Sequence, residues 1–249
     1  MLLHHLKPLF YNLPMQTSIS TLTLEFNIPC LPQEVKQFRG VIAGLGGWDN
    51  DLFHQHDNSN GEGKLLQRYP LIQYRSYKGR PYIYAINQGR DALMALWKSG
   101  AIEKYYKDRN IDLQIDAYDK PKQWLRLVPV QEQYMYRYRI IQYVPFNNAN
   151  YNVYKNLPGF LNKVSFLEKL LTQHLQGLAT ALNWRWDKRE QRLTVTIDDI
   201  DRIEKVKEHN NSFIAIDLVF YTNALLPDRI AIGNDMAFGK GWLHKQPRK

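Results

Sequence analysis

Cysteine is almost absent from this chain of 249 residues, where Cys30 stands alone. No intramolecular disulfide can form and no cysteine-based zinc site can be built, a usage that suits a reducing cytoplasm. No run of about 18 apolar residues occurs either, so no membrane-spanning helix is expected. The amino terminus, Met1 to Phe10, is apolar but broken by Lys7 and Pro8, with Pro14 soon after. It lacks a charged start followed by a clean apolar core and does not read as a secretory signal. Residues 1–16 read as an N-terminal extension or an upstream start. Neither the dinucleotide fingerprint nor the P-loop spacing is found, which argues against a nucleotide-cofactor enzyme; no cofactor is expected.

What the chain has instead is positive charge and rings. The formal charge of +9 favours a polyanionic partner such as nucleic acid, or an acidic membrane surface, and a merely basic soluble protein fits the same charge. The segment Tyr134-Met135-Tyr136-Arg137-Tyr138-Arg139 alternates with period two, placing the tyrosines on one strand face and Arg137 and Arg139 on the other. Cations interleaved with rings suit phosphates and stacked bases; a strand with core tyrosines and solvated arginines fits the same pattern. Near the carboxyl end, Gly233, Gly239 and Gly241 space a loop that holds Lys240 and leads to His244. Glycine allows main-chain N–H groups to approach a ligand closely, so such a loop can cradle a phosphate. Taken bare, the spacing favours a glycine hairpin with no ligand over a phosphate cradle.

Hydrophobic periodicity divides the chain into two similar halves. Thr17 to Phe26 alternates as a half-buried strand, and Pro32 opens a helix with Val35, Phe38, Ile42 and Leu45 on one face, closed by Gly46-Gly47. A polar loop from Trp48 to Lys64 precedes a strand at Tyr69 to Tyr77, a Lys78-Gly79 turn and a returning strand at Arg80 to Ile86. A helix over Asn87 to Gly100 and a strand near Ile111 to Tyr118 complete a β-α-β-β-α-β order, the ferredoxin-like unit. The second half repeats it, with strands at Trp124 to Val130, Tyr136 to Tyr143, Leu193 to Ile200 and Phe213 to Tyr221, and a helix from Val164 to Leu182. The expected fold is α+β: two tandem ferredoxin-like (RRM-like) domains, each an antiparallel sheet with helices on one face. The expected division is 17–119 and 120–249, across the polar, proline-containing stretch Tyr118 to Lys122.

Four segments in order carry a resemblance. They are Phe38-Arg39-Gly40-Val41-Ile42-Ala43, then Asp51-Leu52-Phe53-His54-Gln55-His56, then Arg68-Tyr69-Pro70-Leu71-Ile72-Gln73-Tyr74, and finally Phe220 to Asp228 running into the glycine loop. Together they resemble the CRISPR-associated repeat-RNA endoribonucleases, the sixth Cas family of the RAMP superfamily. The resemblance spans Thr17 to Leu243. It implies metal-independent cleavage of CRISPR repeat RNA, with that RNA and other CRISPR effector-complex proteins as partners, and a monomer or a homodimer. Asn234, Asp235 and Met236 depart from the family's glycine-rich, basic or small-residue loop.

Metal-free RNA cleavage needs a base for the 2′-hydroxyl, an acid for the departing 5′-oxygen and cations near the phosphorane. Histidine suits both proton roles. The resembling enzymes place a catalytic histidine in the loop after helix one, where this chain has His54 and His56. On an extended backbone only one would face a substrate, and His54 is preferred. Lys64, Tyr69 and Arg39 are the nearby groups for phosphate contact or charge support. The products would be a 2′,3′-cyclic phosphate and a 5′-hydroxyl. Two rivals stay open. Asp49, Asp51, His54, His56 and Asp57 lie close enough in sequence to hold a divalent metal. Alternatively, the protein carries guide RNA without cutting it. His174 reads as a packed helix residue, and His209 as part of a solvated charged face.

Overall fold

Strand β1 (Gln16–Phe26) turns Leu22, Leu24 and Phe26 to one side, and α1 (Val35–Gly46) covers them with Val35, Phe38, Ile42 and Ala43. The computed structural model describes residues 16–54, 56–57, 64–65, 68–130, 135–186, 191–208 and 211–247. A short 3-10 turn at Pro32–Glu34 leads into α1, where the Glu34 carboxylate accepts the Leu31 N–H at 2.6 Å. The chain then forms α2 (Asp51–His54), a ribbon of β2 (His56–Asp57) and β3 (Lys64–Leu65), and the hairpin β4 (Ile72–Tyr77) and β5 (Arg80–Ile86). Helices α3 (Gln88–Lys98) and α4 (Ala101–Lys107) follow, and β6 (Ile115–Leu127) closes the first unit. The second unit holds β7 (Tyr136–Tyr143), α5 (Asn148–Asn156), α6 (Phe160–Ala181), β8 (Val195–Glu208), β9 (Asn211–Thr222), β10 (Ala224–Leu225) and β11 (Trp242–Lys245).

Both main sheets are antiparallel. The first has the order β10-β6-β1-β5-β4 and the second β11-β7-β9-β8. Each unit thus places its last strand beside its first, the ferredoxin-like arrangement. One cluster of apolar side chains lies between the first sheet and α1, α3 and α4. The other joins α6, through Leu167, Leu170, Leu171, Leu175 and Leu178, to the second sheet, and continues to Ile19, Tyr82, Tyr84 and Ile86 of the first. The two helix-free sheet faces therefore meet across a seam. Burying an aromatic or aliphatic side chain there contributes about 1.5–3 kcal/mol. Among the described residues no helix is long and apolar enough to cross a membrane.

Several local expectations change. Tyr118 to Lys122, read as a link, runs inside β6, where Tyr118, Asp119 and Lys120 pair with Thr23, Leu22 and Thr21. Pro121 lies where the β1–β6 register shifts, a place that tolerates a residue without an N–H. The strands expected on either side of it are one strand. The loop from Trp48 to Lys64 contains α2, and the helix expected through Gly100 ends at Lys98. Gly100, at φ +71°, then starts α4 in a new direction. α5 had no strong apolar period to announce it, since none of its residues is buried. β10 comes from the second half but completes the first sheet, with Ala224 opposite Leu127. The charged stretch at 204–208 is the tip of the long β8–β9 hairpin.

Candidate functional site

The α1–α2 corner holds His54 tightly. Gly46 admits the Phe53 ring, which lies 2.6 Å from where a Cβ would sit. Tyr74 donates to the Phe53 carbonyl at 3.3 Å. His54 is 4% exposed, and its Nε2 lies 2.6 Å from the Trp48 carbonyl. A carbonyl only accepts, so Nε2 carries the proton in that contact. The Arg39 guanidinium donates to the His54 carbonyl at 2.5 Å and stacks 4.8 Å from the Phe238 ring. Burial holds the Arg39 pKa below its usual value. His56 and Asp57 pair through the main chain with Leu65 and Lys64, so the backbone brings the second histidine and Lys64 into one ribbon directly after His54. The side chains of His56, Asp57 and Lys64 lie outside the described residues. Asp51 pairs with Arg68 at 2.9 Å. Among the described residues no three His, Cys, Asp or Glu side chains converge as metal ligands.

The Tyr69 hydroxyl, expected near a phosphate or the transition-state charge, is hydrogen-bonded within the seam. It donates to the Ala231 carbonyl at 2.9 Å and accepts from Gln73 at 2.7 Å. Burial pushes its pKa far above the usual range. Beside it lies Arg75, 1% exposed. Its guanidinium stacks 4.6 Å from the Trp242 ring and donates to Gln73 at 3.1 Å, while Nε and Nη1 have no partner. Burial lowers its pKa to about 10. Alternation along β4 groups Arg75 with Gln73 and Tyr77, but only the meeting of two sheets buries it, so the sequence did not single it out.

The glycine loop is packed against protein. A Cβ on Gly241 would lie 1.8 Å from the Ile232 carbonyl oxygen, at φ +67°. One on Gly239 would meet Arg75 at 3.0 Å, and one on Gly233 the Tyr143 ring at 2.9 Å. The Gly239 and Gly241 N–H groups donate to Met236 and Gln142 carbonyls. Those two amides are therefore committed, and the glycines permit close packing at the seam where a phosphate cradle was expected. Lys240 is 6% exposed, directed at the Gln142 side chain (3.4 Å) and the Phe213 ring (5.5 Å). It is not a surface cation.

Arg137 and Arg139 project from β7 as expected, but each meets an aspartate of the neighbouring hairpin. Arg137 binds Asp198 at 3.0 Å and Arg139 binds Asp201 at 3.2 Å. Arg139 keeps 44% of its side chain exposed and Arg137 only 12%, so Arg139 is the better placed for a phosphate. His244 pairs in register with Arg139 and stacks on Trp242, with ring centroids 4.4 Å apart. Burial lowers its pKa, Asp228 raises it, and Arg75, Arg229 and Arg139 lower it further. The candidates thus form two groups: His54, His56, Lys64 and Arg39 at the α1–α2 corner, and Arg137, Arg139 and His244 on the second sheet. His4, His5, Tyr134, His209, Arg248 and Lys249 lie outside the described residues.

A family model described as the Cas6b N-terminal domain matches residues 15–122, and one described as the Cas6b C-terminal domain matches residues 130–246. A solved structure described as a crystal structure of Cas6b has a TM-score of 0.71 at 18% identity, covering 92% of this chain and 100% of that chain. One described as the CRISPR RNA processing endoribonuclease Cas6b has a TM-score of 0.66 at 18% identity, with the same coverage. A third, described as Csf5, a CRISPR-Cas type IV Cas6 crRNA endonuclease, has a TM-score of 0.61 at 13% identity, covering 93% of this chain and 100% of that chain. These likenesses are likenesses of fold. No curated protein matches the chain.

Proposed function

The chain belongs to the Cas6b family, and from that footing we propose that it is an endoribonuclease that binds CRISPR repeat RNA and cuts it without a metal ion. The observation that carries the reading is the α1–α2 corner. His54 is clamped by the Trp48 carbonyl, and its own carbonyl is held by Arg39, so the chain leaves toward His56 from a fixed point. A base removes the 2′-hydroxyl proton, the 2′-oxygen attacks phosphorus, and the bond to the 5′-oxygen breaks as an acid protonates it. The products are a 2′,3′-cyclic phosphate and a 5′-hydroxyl. We assign proton transfer to His56, charge support to Lys64, and a positioning role to His54, whose buried ring already spends Nε2. Arg39 braces the corner, and the exposed part of Arg139 contributes to RNA binding.

The committed Nε2 also favours a second reading, in which the protein carries guide RNA within a larger complex and does not cleave. A single set of assays decides. Labelled repeat RNA is incubated with the protein in excess EDTA, beside substrates with one 2′-deoxy sugar upstream of each candidate bond. Cleavage blocked at a single deoxy position is the expected result. His56→Ala should slow it by about a hundredfold or more, with RNA affinity within several-fold of the parent. His54→Ala should slow it less, and the slowing should track local stability. Wild-type cleavage by the double alanine variant refutes the histidine assignment. Activity lost in EDTA points to a metal-dependent nuclease, and tight binding without cleavage to the carrier.

A further inference from the structure

On the second unit, a groove of about 740 Å³ runs between α6 and the chain entering β8, within the range of ligand sites, roughly 300–1,000 Å³. One wall is a polar stripe of α6, Ser165, Glu168, Thr172 and Gln176, spaced by three and four residues and so stacked along one helix face. The other wall includes Gln191 to Thr196. At about 1.5 Å per helical residue the stripe is about 16 Å long, and the extended wall, at about 3.3 Å per residue, is about as long. Among the described residues β8 is the last strand of its sheet, so the groove follows an open edge. We propose that it takes an extended, acidic segment of a partner polypeptide, added to β8 as one more strand.

The main chain sets the direction. Thr194 turns its N–H inward to Asn223 at 2.9 Å, and Ile197 turns its own outward to the Glu168 carboxylate, also at 2.9 Å. The β8–β9 register runs unbroken from Val195 to Ile197. Alternation along the strand therefore points the N–H and C=O of Leu193 and Val195 into the groove. Among the described residues those groups have no partner. Glu168 holds, at Ile197, the place that a partner carbonyl takes along a ladder. An open edge of this kind pairs with another chain.

Gln191 supplies an independent sign. It lines the groove and is 7% exposed, and its Oε1 is buried with no hydrogen-bond partner. A buried acceptor without a donor is costly, and a main-chain N–H is such a donor. Charge narrows the occupant further. Glu168 is the one carboxylate in the lining and is committed to Ile197, whereas Lys169 and Arg192 make no ion pair among the described residues. Carboxylates on the incoming segment complete them. Residues 1–15 and 246–249 contain no Asp or Glu, so the ends of this chain do not match and a different polypeptide does. A nucleic-acid backbone offers no amide ladder to Leu193 and Val195. The groove shares no lining residue with the α1–α2 corner, and its occupancy leaves cleavage untouched.

The test measures fluorescence anisotropy of the whole protein with labelled, end-capped heptapeptides in which Asp or Glu alternates with Val, Ile or Thr. Counterparts carry Lys in place of the acids, and two versions of the tightest peptide are N-methylated on its odd or its even amides. Acidic peptides should bind, and their Lys counterparts about tenfold more weakly or worse. Methylation of one set of amides should abolish binding and the other should be tolerated, because only one set faces β8. Val195→Pro deletes the outward N–H and spares the β8–β9 ladder; it should weaken binding about tenfold, and Lys169→Glu severalfold. Single-turnover cleavage of repeat RNA should equal the parent's in both variants. If Val195→Pro does not fold, Lys169→Glu and the methylated peptides on the parent protein decide alone. The proposal is overturned if no peptide of the set binds, or if binding ignores both the methylation pattern and Lys169→Glu. Displacement of the peptide by a random-sequence RNA heptamer, lost in Lys169→Glu, also overturns it and assigns the groove to nucleic acid.

Discussion

Replacing Asn223 should remove much of the stability of this fold, and the reason can be worked atom by atom. The side chain is 1% exposed. Its Nδ2 donates to the Val128 carbonyl at 2.8 Å and the Arg192 carbonyl at 3.0 Å, and its Oδ1 accepts from the Thr194 N–H at 2.9 Å and hydroxyl at 3.2 Å. One amide therefore ties the end of β6, the start of β8 and the β9–β10 junction. Asn223→Ala orphans the Val128 carbonyl and the Thr194 N–H, and partly the Arg192 carbonyl. At about 1–3 kcal/mol for each buried orphan, a loss of about 3 kcal/mol or more is expected, a large fraction of a typical 5–15 kcal/mol. Asn223→Asp leaves no cavity but sets an oxygen against two carbonyls, so the native fold favours the protonated acid. Its native pKa then lies above the unfolded value, and stability falls as pH rises through that raised value. Urea unfolding followed by circular dichroism at pH 5 and pH 8 measures both variants. A loss below about 1 kcal/mol for Asn223→Ala, or an Asp variant equal to the parent at pH 8, would falsify the account.

Three further outcomes follow from the same reasoning. His174 accepts from or donates to the Tyr143 hydroxyl at 2.8 Å, and burial lowers its pKa from 6.5 to about 4. The unfolded chain therefore binds the extra proton between those values, and stability falls as pH drops from about 6.5 toward 4. The expected loss is about 2 kcal/mol between pH 7.5 and pH 5. Thermal melts should show it in the parent and a flatter profile in His174→Gln. Gly241→Ala forces a Cβ to 1.8 Å from the Ile232 oxygen at φ +67°, and should cost at least about 3 kcal/mol or prevent folding. Gly40→Ala, on α1 with nothing within 4 Å of the new atom, should be neutral or stabilise by about 0.5–1 kcal/mol; a large loss would show that the α1 surface is occupied. Thermal melts of both glycine variants, run beside the parent, decide these two.

Much of the fold was legible because its cues are local. Alternation in β1, β4, β5, β7 and β9, the apolar face of α1 and the long stripe of α6 each specify an element without reference to its neighbours. The misses share a cause. Lys120 and Lys122 look like linker residues because their strand is polar on both sides, yet the ladder to β1 holds it extended. α5 buries no side chain and so shows no period. His54 and His56 were legible as a pair, but their difference was not. The spacing of two suggested opposite sides of an extended loop, whereas His54 ends a helical turn whose carbonyl Arg39 holds.

By itself the sequence determined the two-unit α+β architecture, the excess of positive charge, the exclusion of disulfides and cysteine-held metals, and the segments that identify the family. These depend on composition and on short-range order. Tertiary structure decided which polar groups are spent inside. Tyr69, Gln73 and Arg75 were drawn into the seam, Lys240 was buried beside Gln142 and Phe213, and Arg137 was handed to Asp198. Burial is a property of what comes to lie opposite, across scores of residues of chain. A glycine, a lysine or a tyrosine cannot announce from its own neighbours whether it will meet solvent, a ligand or another sheet.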